Sequence, residues 1–441
     1  MLSKYGELVR LVAERIERGD YRPGEAVPSL RTLQQQYGIS LNTARRAYYE
    51  LERLGYIEAR PRSGYVVTAG GRTADQSGEA ASLASPFPHP SLYDTRALSH
   101  AFVGAMRHYH DALVDPAPAG LPALRRQLAR LAAQEGWEMY ADEMLITCGG
   151  MEALSLAIGA VTHGAASPQV AVLLPAFPGL LGRLAEQGIR MLPLEVGADG
   201  RLDTTRLEAA LAAGQLQAIA LMPVHAHPHG RSLPSAVTQQ LLALSERYDV
   251  PLIEDDAYRW LGFSGDIPSP LKAQDRAGRI LLCGTFSKSL SPGYRVGWLL
   301  PGRYAAIAAR LKTSHTLASP LPNQLALAEL LAGNRYRPAL ARLTAGLGQR
   351  VRRLEADLAE VGLPVPQTAE GGCFIWLPGL PAPVTQLATG SGHPALHFTP
   401  GNACHPGLAG AHALRLNASF YQPAQQRPAL EALALRLRRL A

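Results

Sequence analysis

Lysine occurs at only four positions, 4, 272, 288 and 312. Lys288 stands in Thr285-Phe286-Ser287-Lys288-Ser289-Leu290-Ser291-Pro292-Gly293-Tyr294-Arg295, directly after the apolar run 280–283. Hydroxyl residues flank it, and Arg295 follows in a glycine-containing turn. A lysine amine forms a Schiff base with an aldehyde such as pyridoxal 5'-phosphate once partial burial or nearby cations lower its pKa. Ser287 and Arg295 suit the phosphate of such a molecule, arginine being a planar bidentate donor.

Upstream, the apolar run 251–253 delivers Glu254, Asp255 and Asp256 to its end, and Tyr258 follows. Open α/β sheets bind ligands at the carboxyl ends of their strands. An aspartate there can hold a proton on a pyridine nitrogen, and the tyrosine can hydrogen-bond a ring hydroxyl. Thr147-Cys148-Gly149-Gly150-Met151-Glu152 reads as a glycine turn into a helix whose free N–H groups cradle a phosphate. Phe177 follows another strand and can stack on a ring. Taken singly, these are a surface lysine, a solvated acid run, a turn and a core phenylalanine. In this order, each at a strand end, they point together to one cofactor site.

From about residue 85 onward, helical patterns alternate with apolar strands at 169–174, 218–222, 251–254 and 280–283. This predicts an α/β domain with a largely parallel sheet. Residues 85–441 resemble fold-type I aminotransferases. The resemblance implies a pyridoxal-phosphate domain with a mostly parallel large-domain sheet and a smaller α+β C-terminal subdomain. It implies Lys288 as the Schiff-base lysine, Asp255 as the pyridine-nitrogen partner and Tyr258 as the ring-hydroxyl partner. It further implies that Phe177 stacks on the ring and that Gly149, Gly150, Thr285, Ser287 and Arg295 surround the phosphate. Arg415, in Leu414-Arg415-Leu416-Asn417, falls where the family binds a substrate carboxylate. Leu121-Pro122-Ala123-Leu124-Arg125 matches the family's helix start after Gly120.

Two positions depart from that pattern. His227, in Val224-His225-Ala226-His227-Pro228-His229-Gly230, stands where the family carries an asparagine that donates to the ring hydroxyl. Its tautomer and charge would alter the cofactor's electronics. Asp115 falls roughly where relatives carry a phosphate-binding tyrosine. Both weigh against efficient transamination more than against cofactor binding. His225, His227 and His229 alternate, so an extended segment would put them on one face, as a metal site needs. No acid or cysteine completes the set. The alternative, loop histidines around the cofactor, is the expected one, and no metal is expected.

The N-terminal stretch is organised differently. Tyr5, Leu8, Val9, Val12 and Ile16 share a helical face. Ser29 and Ser40 are placed to cap two further helices. The third helix should bury Ala44, Ala47, Tyr48, Leu51 and Leu54. Strands at Ile57–Arg60 and Gly64–Val67 flank a basic tip with Arg62. This is a winged helix-turn-helix, or else a helical dimerisation module with surface arginines. Residues 21–67 resemble the DNA-binding domain of GntR-type bacterial regulators. The resemblance implies DNA contacts by Arg31, Ser40, Asn42, Thr43, Arg45 and Gly64. The geometry adds Arg46 on the outward face and Arg62 on the wing. Leu41 replaces an arginine common in relatives, which leaves base preference open.

Residues 69–84 are small and polar and read as a flexible linker spanning ~20–24 Å r.m.s.. The expected division is therefore residues 1–68 as DNA reader, 69–84 as linker and 85–441 as effector domain. A chain of 441 residues with 47% hydrophobic content supports two or three globular domains. Its formal charge of +7 permits an anionic partner, and four scattered cysteines fit a reducing cytoplasm rather than a disulfide scaffold. The charged, amphipathic first helix does not read as a secretory leader, and no apolar stretch is long enough for a membrane span.

A GntR-type reader followed by an aminotransferase-like domain resembles the MocR subfamily of bacterial transcription regulators. That resemblance implies a cytoplasmic homodimer, paired through the aminotransferase-like domain, that binds operator DNA. Its effector would be an amine, an amino acid or a vitamin B6 form. The alternative is an active aminotransferase carrying a DNA-binding domain.

Overall fold

The computed structural model describes residues 4–17, 20–22, 24–53, 56–60, 64–68, 82–108, 116–333, 335–363, 365, 367–384 and 397–440. Leu54, Arg62, Asp115 and positions 69–81 lie outside them. The chain divides into two compact units, Met1–Ala80 and Ala81–Ala441.

In the first unit, α1 (Lys4–Glu17), α2 (Leu30–Tyr37) and α3 (Leu41–Arg53) precede a hairpin of β1 (Ile57–Arg60) and β2 (Gly64–Val67). The hairpin is antiparallel with Ile57 opposite Val67, and Ala26 bridges to Val66 as a third edge. Ser29 Oγ accepts from Thr32 N at 3.1 Å to cap α2. Gly38, at φ +60°, ends it in the left-handed region where a side chain would be strained. Ser40 Oγ accepts from Thr43 N at 3.1 Å to cap α3. Leu8, Val12, Leu33, Ala44, Ala47, Tyr48 and Leu51 form the core. Tyr48 ties α3 to its surroundings: its hydroxyl donates to Pro28 O at 2.6 Å and its ring lies edge-on to Tyr65 at 5.0 Å.

The second unit continues with α4 (Thr95–His108), α5 (Pro122–Gln134), β3 (Leu145–Thr147), α6 (Gly150–Val161), β4 (Gln169–Leu174), α7 (Pro178–Glu186) and β5 (Arg190–Glu195). Then come α8 (Thr205–Ala212), β6 (Ala218–Leu221), α9 (Ser235–Arg247), β7 (Leu252–Asp255), β8 (Ile280–Thr285) and β9 (Gly297–Leu300). Beyond these lie α10 (Ala305–His315), α11 (Leu321–Ala332), α12 (Tyr336–Glu360), β10 (Phe374–Leu377), β11 (Thr399–Pro400) and β12 (Leu414–Asn417), and finally a helix at Pro423–Leu440.

The large sheet has the order β3-β9-β8-β7-β6-β4-β5. From β5 to β8 every neighbouring pair is parallel, and β9 runs antiparallel to both β8 and β3. Central strands such as β6, β7 and β8 are buried along their whole length, as helix-covered parallel strands must be. β7 and β8 run past their apolar residues because the ladder continues: Asp255 pairs with Cys283, and Thr285 with Gly297. Asp255 and Thr285 are thus delivered by strands rather than loops.

The smaller part is an antiparallel sheet, β10-β12-β11, packed against α12 and the last helix through Val351, Leu354, Leu358, Leu414, Leu416 and Leu430. Leu83, within the stretch read as linker, is fully buried in this core. All four cysteines are free thiols. Among the described residues no helix is long and apolar enough to cross a membrane.

Candidate functional site

The carboxyl ends of β3, β7 and β8 bring the expected residues of the second unit together. Lys288 lies just beyond β8 and is buried. Its Nζ donates to Pro86 O at 2.6 Å and stands 4.2 Å from the Phe87 ring and 5.4 Å from the Tyr258 ring. Its pKa is lowered to about 8, chiefly by burial, with Arg415 and Arg295 acting in the same direction and Cys373 and Asp255 opposing them. Tyr93, which sequence reasoning missed, places its hydroxyl 3.4 Å from Lys288 O and 3.5 Å from Ser287 O.

The acid run has three fates, and none of its members is solvated. Glu254 accepts from the backbone N–H groups of Leu271 and Lys272 at 2.8 and 2.9 Å. Burial and the adjacent Asp256 push its pKa up. Asp256 accepts from Arg259 Nε at 2.9 Å, and Arg259 also donates to Glu135 at 2.7 Å. Only Asp255 is left for a ligand. It is buried, accepts from Ala257 N at 3.1 Å, and is pushed up to about 7 by burial.

The phosphate-side residues converge as well. Gly149 caps α6 at φ +83°, and a Cβ there would meet the Arg295 guanidinium at 3.0 Å. Arg295 donates from Nη2 to Cys148 O at 2.7 Å. A Cβ on Gly150 would meet Thr285 at 3.3 Å. Ser287 N donates to Thr285 Oγ1 at 3.1 Å, and the two hydroxyls lie 3.0 Å apart. Backbone N–H groups at a helix start, two hydroxyls and a guanidinium make an anion cradle. Gly297 shapes the same cradle: a Cβ there would stand 2.6 Å from Gly149 C. Nothing in its sequence context singled it out.

His227 is fully enclosed, and burial followed by the charges of Arg415 and Lys288 holds its pKa well below 6.5. Its Nε2 stands 3.0 Å from Arg415 Nη1. A guanidinium only donates, so Nε2 accepts and the neutral ring carries its proton on Nδ1. That Nδ1 makes no hydrogen bond of good geometry, although the Ala176 carbonyl acts on the ring, and the buried Tyr258 hydroxyl and Arg415 Nε have no partner. The Phe177 ring lies edge-on to His227 at 5.7 Å. Phe374, also missed, lies edge-on to His227 at 4.8 Å and beneath the Arg415 guanidinium at 4.4 Å. It opens an apolar strand like any core residue, so its sequence gave no signal.

The three alternating histidines do not share a face. His225 Nδ1 stands 3.1 Å from Tyr258 O, His227 meets Arg415, and His229 Nδ1 accepts from Arg231 N at 3.2 Å. The chain turns at His225, where φ is +47°, so the segment is not extended. Among the described residues no cluster of histidine, cysteine and acid side chains is arranged to hold a metal.

A cleft of about 350 Å³ opens beside Phe177, His227 and Asp255. Lys288, Tyr258, Arg415 and the anion cradle are not part of its lining, but the residues gathered at the strand ends fit pyridoxal 5'-phosphate on their own chemistry. An unpartnered tyrosine hydroxyl and an unpartnered imidazole N–H suit a phenolate oxygen. A buried carboxyl suits a ring nitrogen, the cradle suits a phosphate, and a depressed lysine suits an aldehyde.

In the first unit, Arg31, Asn42 and Arg45 are exposed on α2 and α3. Ser40 and Thr43 spend their hydroxyls on each other, 2.8 Å apart. The Arg46 guanidinium lies 4.5 Å over the Tyr5 ring of α1, so part of its donor face is turned to its own fold. Gly64 is exposed at φ +77°. Tyr49, 67% exposed on α3, was not singled out from sequence and joins Arg45 as a large exposed side chain on that helix.

Residues 4–67 match the gntR family of bacterial regulatory proteins, and residues 107–433 match aminotransferase class I and II. The fold is that of aminotransferases: an archaeal alanine:glyoxylate aminotransferase superposes with a TM-score of 0.75 at 23% identity, covering 83% of this chain and 93% of that one. The multiple substrate aminotransferase of Thermococcus profundus gives 0.72 at 21% identity, covering 82% and 92%. The class so defined is a transcription regulator in which a helix-turn-helix domain is joined to an aminotransferase-like domain. The uncharacterized HTH-type transcriptional regulator YdcR of Escherichia coli (strain K12) is 32% identical over 98% of both chains. The pyridoxine biosynthesis regulator PdxR of Corynebacterium glutamicum is 29% identical over 79% of this chain and 75% of its own. The chain belongs to the MocR-type regulators of the GntR family.

Proposed function

We propose that this regulator holds pyridoxal 5'-phosphate covalently through Lys288 and changes operator binding when an amine, an amino acid or a vitamin B6 form occupies the same site. The observation that carries the reading is the trio of unpartnered buried atoms, Tyr258 Oη, His227 Nδ1 and Arg415 Nε, around Lys288 and Asp255. Buried polar groups without partners are rare in native folds, and these three match a phenolate and a carboxylate.

When bound, pyridoxal phosphate supplies an aldehyde carbon and an electron sink. Asp255 would hold a proton on the ring nitrogen. Tyr258 and His227 would donate to the ring oxygen, and Phe177 would cover the ring. Gly149, Gly150, Thr285, Ser287 and Arg295 would bind the phosphate, and Arg415 the effector carboxylate. The domain would pair two chains as a cytoplasmic homodimer. Exposed Phe102 and Val103 on α4 are the kind of surface such pairing covers. Residues 1–68 would read DNA through Arg31, Asn42 and Arg45, with Ser40, Thr43, Arg46, Gly64 and Arg62 nearby.

The test is the absorption spectrum of the full chain with pyridoxal phosphate, titrated with amino acids, amines and B6 forms. A visible band that an effector shifts and that then persists is the expected result. No band would remove the cofactor from the reading. Completeness of Lys288, Asp255, Tyr258 and Arg415 favours a second reading, an active aminotransferase, and release of a keto acid would establish it.

Arg45→Ala should reduce the salt dependence of operator binding by about one ion per lost phosphate contact. Arg46→Ala should change that slope less and lower the melting temperature instead, because its guanidinium packs on Tyr5. Equal slopes for Arg45→Ala and the unaltered protein would remove Arg45 from the interface.

A further inference from the structure

We propose that residues 82–89 form a strap that occupies the carboxylate site and is displaced by an amino-acid effector. The proposal rests on Arg415 being the effector's carboxylate site. The strap's carbonyls are turned inward one after another. Leu83 O accepts from Asn417 N at 2.7 Å. Ala84 O accepts from Arg415 Nη2 at 2.5 Å, and Ser85 O lies 3.3 Å from the same nitrogen. Pro86 O accepts from Lys288 Nζ at 2.6 Å. Asn417 Nδ2 donates to both Ser85 O at 2.9 Å and Phe87 O at 2.7 Å. His89 N donates to Ser419 Oγ at 2.9 Å. Leu83 anchors one end in the core of the small sheet. Pro86, Pro88 and Pro90 have no N–H, so this stretch is poorly suited to a sheet ladder.

Three neutral oxygens share Arg415 Nη2, the third being Thr399 Oγ1 at 2.7 Å, and the two strap carbonyls among them stand where a carboxylate would bind. A guanidinium offers a carboxylate two bidentate edges, Nη1 with Nη2 or Nε with Nη2. Both use Nη2, the nitrogen that the strap holds. Nη1 is engaged by His227, while Nε is buried without a partner. A carboxylate therefore gains Nε and takes Nη2 from Ala84 and Ser85. The strap offers the guanidinium neutral carbonyls, whereas a carboxylate adds an opposite charge and bidentate geometry, so the exchange favours the effector. Pro86 O accepts from the free Lys288 amine, a bond that cofactor loading gives up, so an effector acts on the strap of the loaded protein through Arg415. Residues 82–89 are also where the chain enters the second unit after positions 69–81. Releasing Ala84 and Ser85 loosens the end of the tether that leads to the DNA reader. Occupancy of the effector site is thereby coupled to the linker.

Hydrogen exchange on the cofactor-loaded full chain tests this. The amides of Ser85, Phe87 and His89, which donate to Ser82 O, Ser85 Oγ and Ser419 Oγ, report the strap. The probes are the twenty protein amino acids and matched amines without a carboxylate. Each amino acid that shifts the cofactor band should raise exchange at these amides about tenfold or more, and a band-shifting amine should not. A band-shifting amino acid that leaves the exchange unchanged overturns the displacement. If no amino acid shifts the band, the effector reading itself fails, and displacement by an amino acid fails with it. Asn417→Ala is read without any amino acid. It should raise exchange at the same amides about tenfold and speed loading of pyridoxal phosphate on Lys288 severalfold. Unchanged exchange and loading in this variant would show that no strap is held there.

Discussion

Replacing Lys288 by alanine removes the visible band of the pyridoxal-phosphate-loaded protein and weakens cofactor retention on the order of 100-fold, about 2.7 kcal/mol. The expectation follows from burial. At an ordinary value of 10.5, roughly 0.03% of a lysine is neutral at pH 7, whereas at about 8 the fraction is roughly 10%. Only the neutral amine attacks an aldehyde, so loading of the unaltered protein should rise roughly tenfold per pH unit below about 7. It should level off above about 9. The sign is that of a lowered lysine: protonation is what must be undone, and alkali favours it. Stopped-flow absorbance across pH 6–10 measures this. A rate still climbing steeply at pH 10 would mean that the pocket does not depress Lys288. A band that survives in Lys288→Ala would move the covalent site elsewhere.

Arg259→Met should destabilise the second unit by about 3–5 kcal/mol, because it strands two buried carboxylates. Arg259 donates to Asp256 at 2.9 Å and to Glu135 at 2.7 Å, and all three side chains are at most 6% exposed. Trp260 Nε1 donates to the same Glu135 at 2.8 Å, and the Arg259 guanidinium lies 5.6 Å from the Trp137 ring. This cluster flanks Asp255 and Tyr258 in sequence and fixes the turn that carries them. The cofactor band should weaken along with the stability. The triple change Arg259→Met, Asp256→Asn, Glu135→Gln should recover much of the loss, since no charge is then left unpaired. Denaturant melts of the single and triple variants decide the matter. Equal stabilities for the two would mean that charge is not what the cluster contributes.

The sequence alone determined the two architectures and most of the candidate site. Caps at Ser29 and Ser40, the apolar face of α1 and the strand pair around Gly64 are local signals, set by hydrogen bonds and burial within a few residues. Lys288, Asp255, Tyr258 and Arg295 were legible because each follows a short apolar strand, and parallel strands deliver their ends to one edge. Three-dimensional packing decided the rest. A run of three acids is uniform in sequence, yet Glu254, Asp255 and Asp256 meet Leu271, Ala257 and Arg259, which are 17, 2 and 3 positions away from them. Three alternating histidines share a face only if the backbone stays extended, and it turns at His225.

The tautomer of His227 depends on Arg415, which is 188 positions away, and no local pattern carries that information. Leu83 looks like a lone apolar residue in a polar linker until the small sheet supplies a core to bury it. Phe374, Asn417 and Gly297 have the same explanation. Periodicity and strand ends record what a residue does to its own segment. Whether a carbonyl at position 84 meets a guanidinium at position 415 is a property of long-range closure, which exists only once the chain has folded.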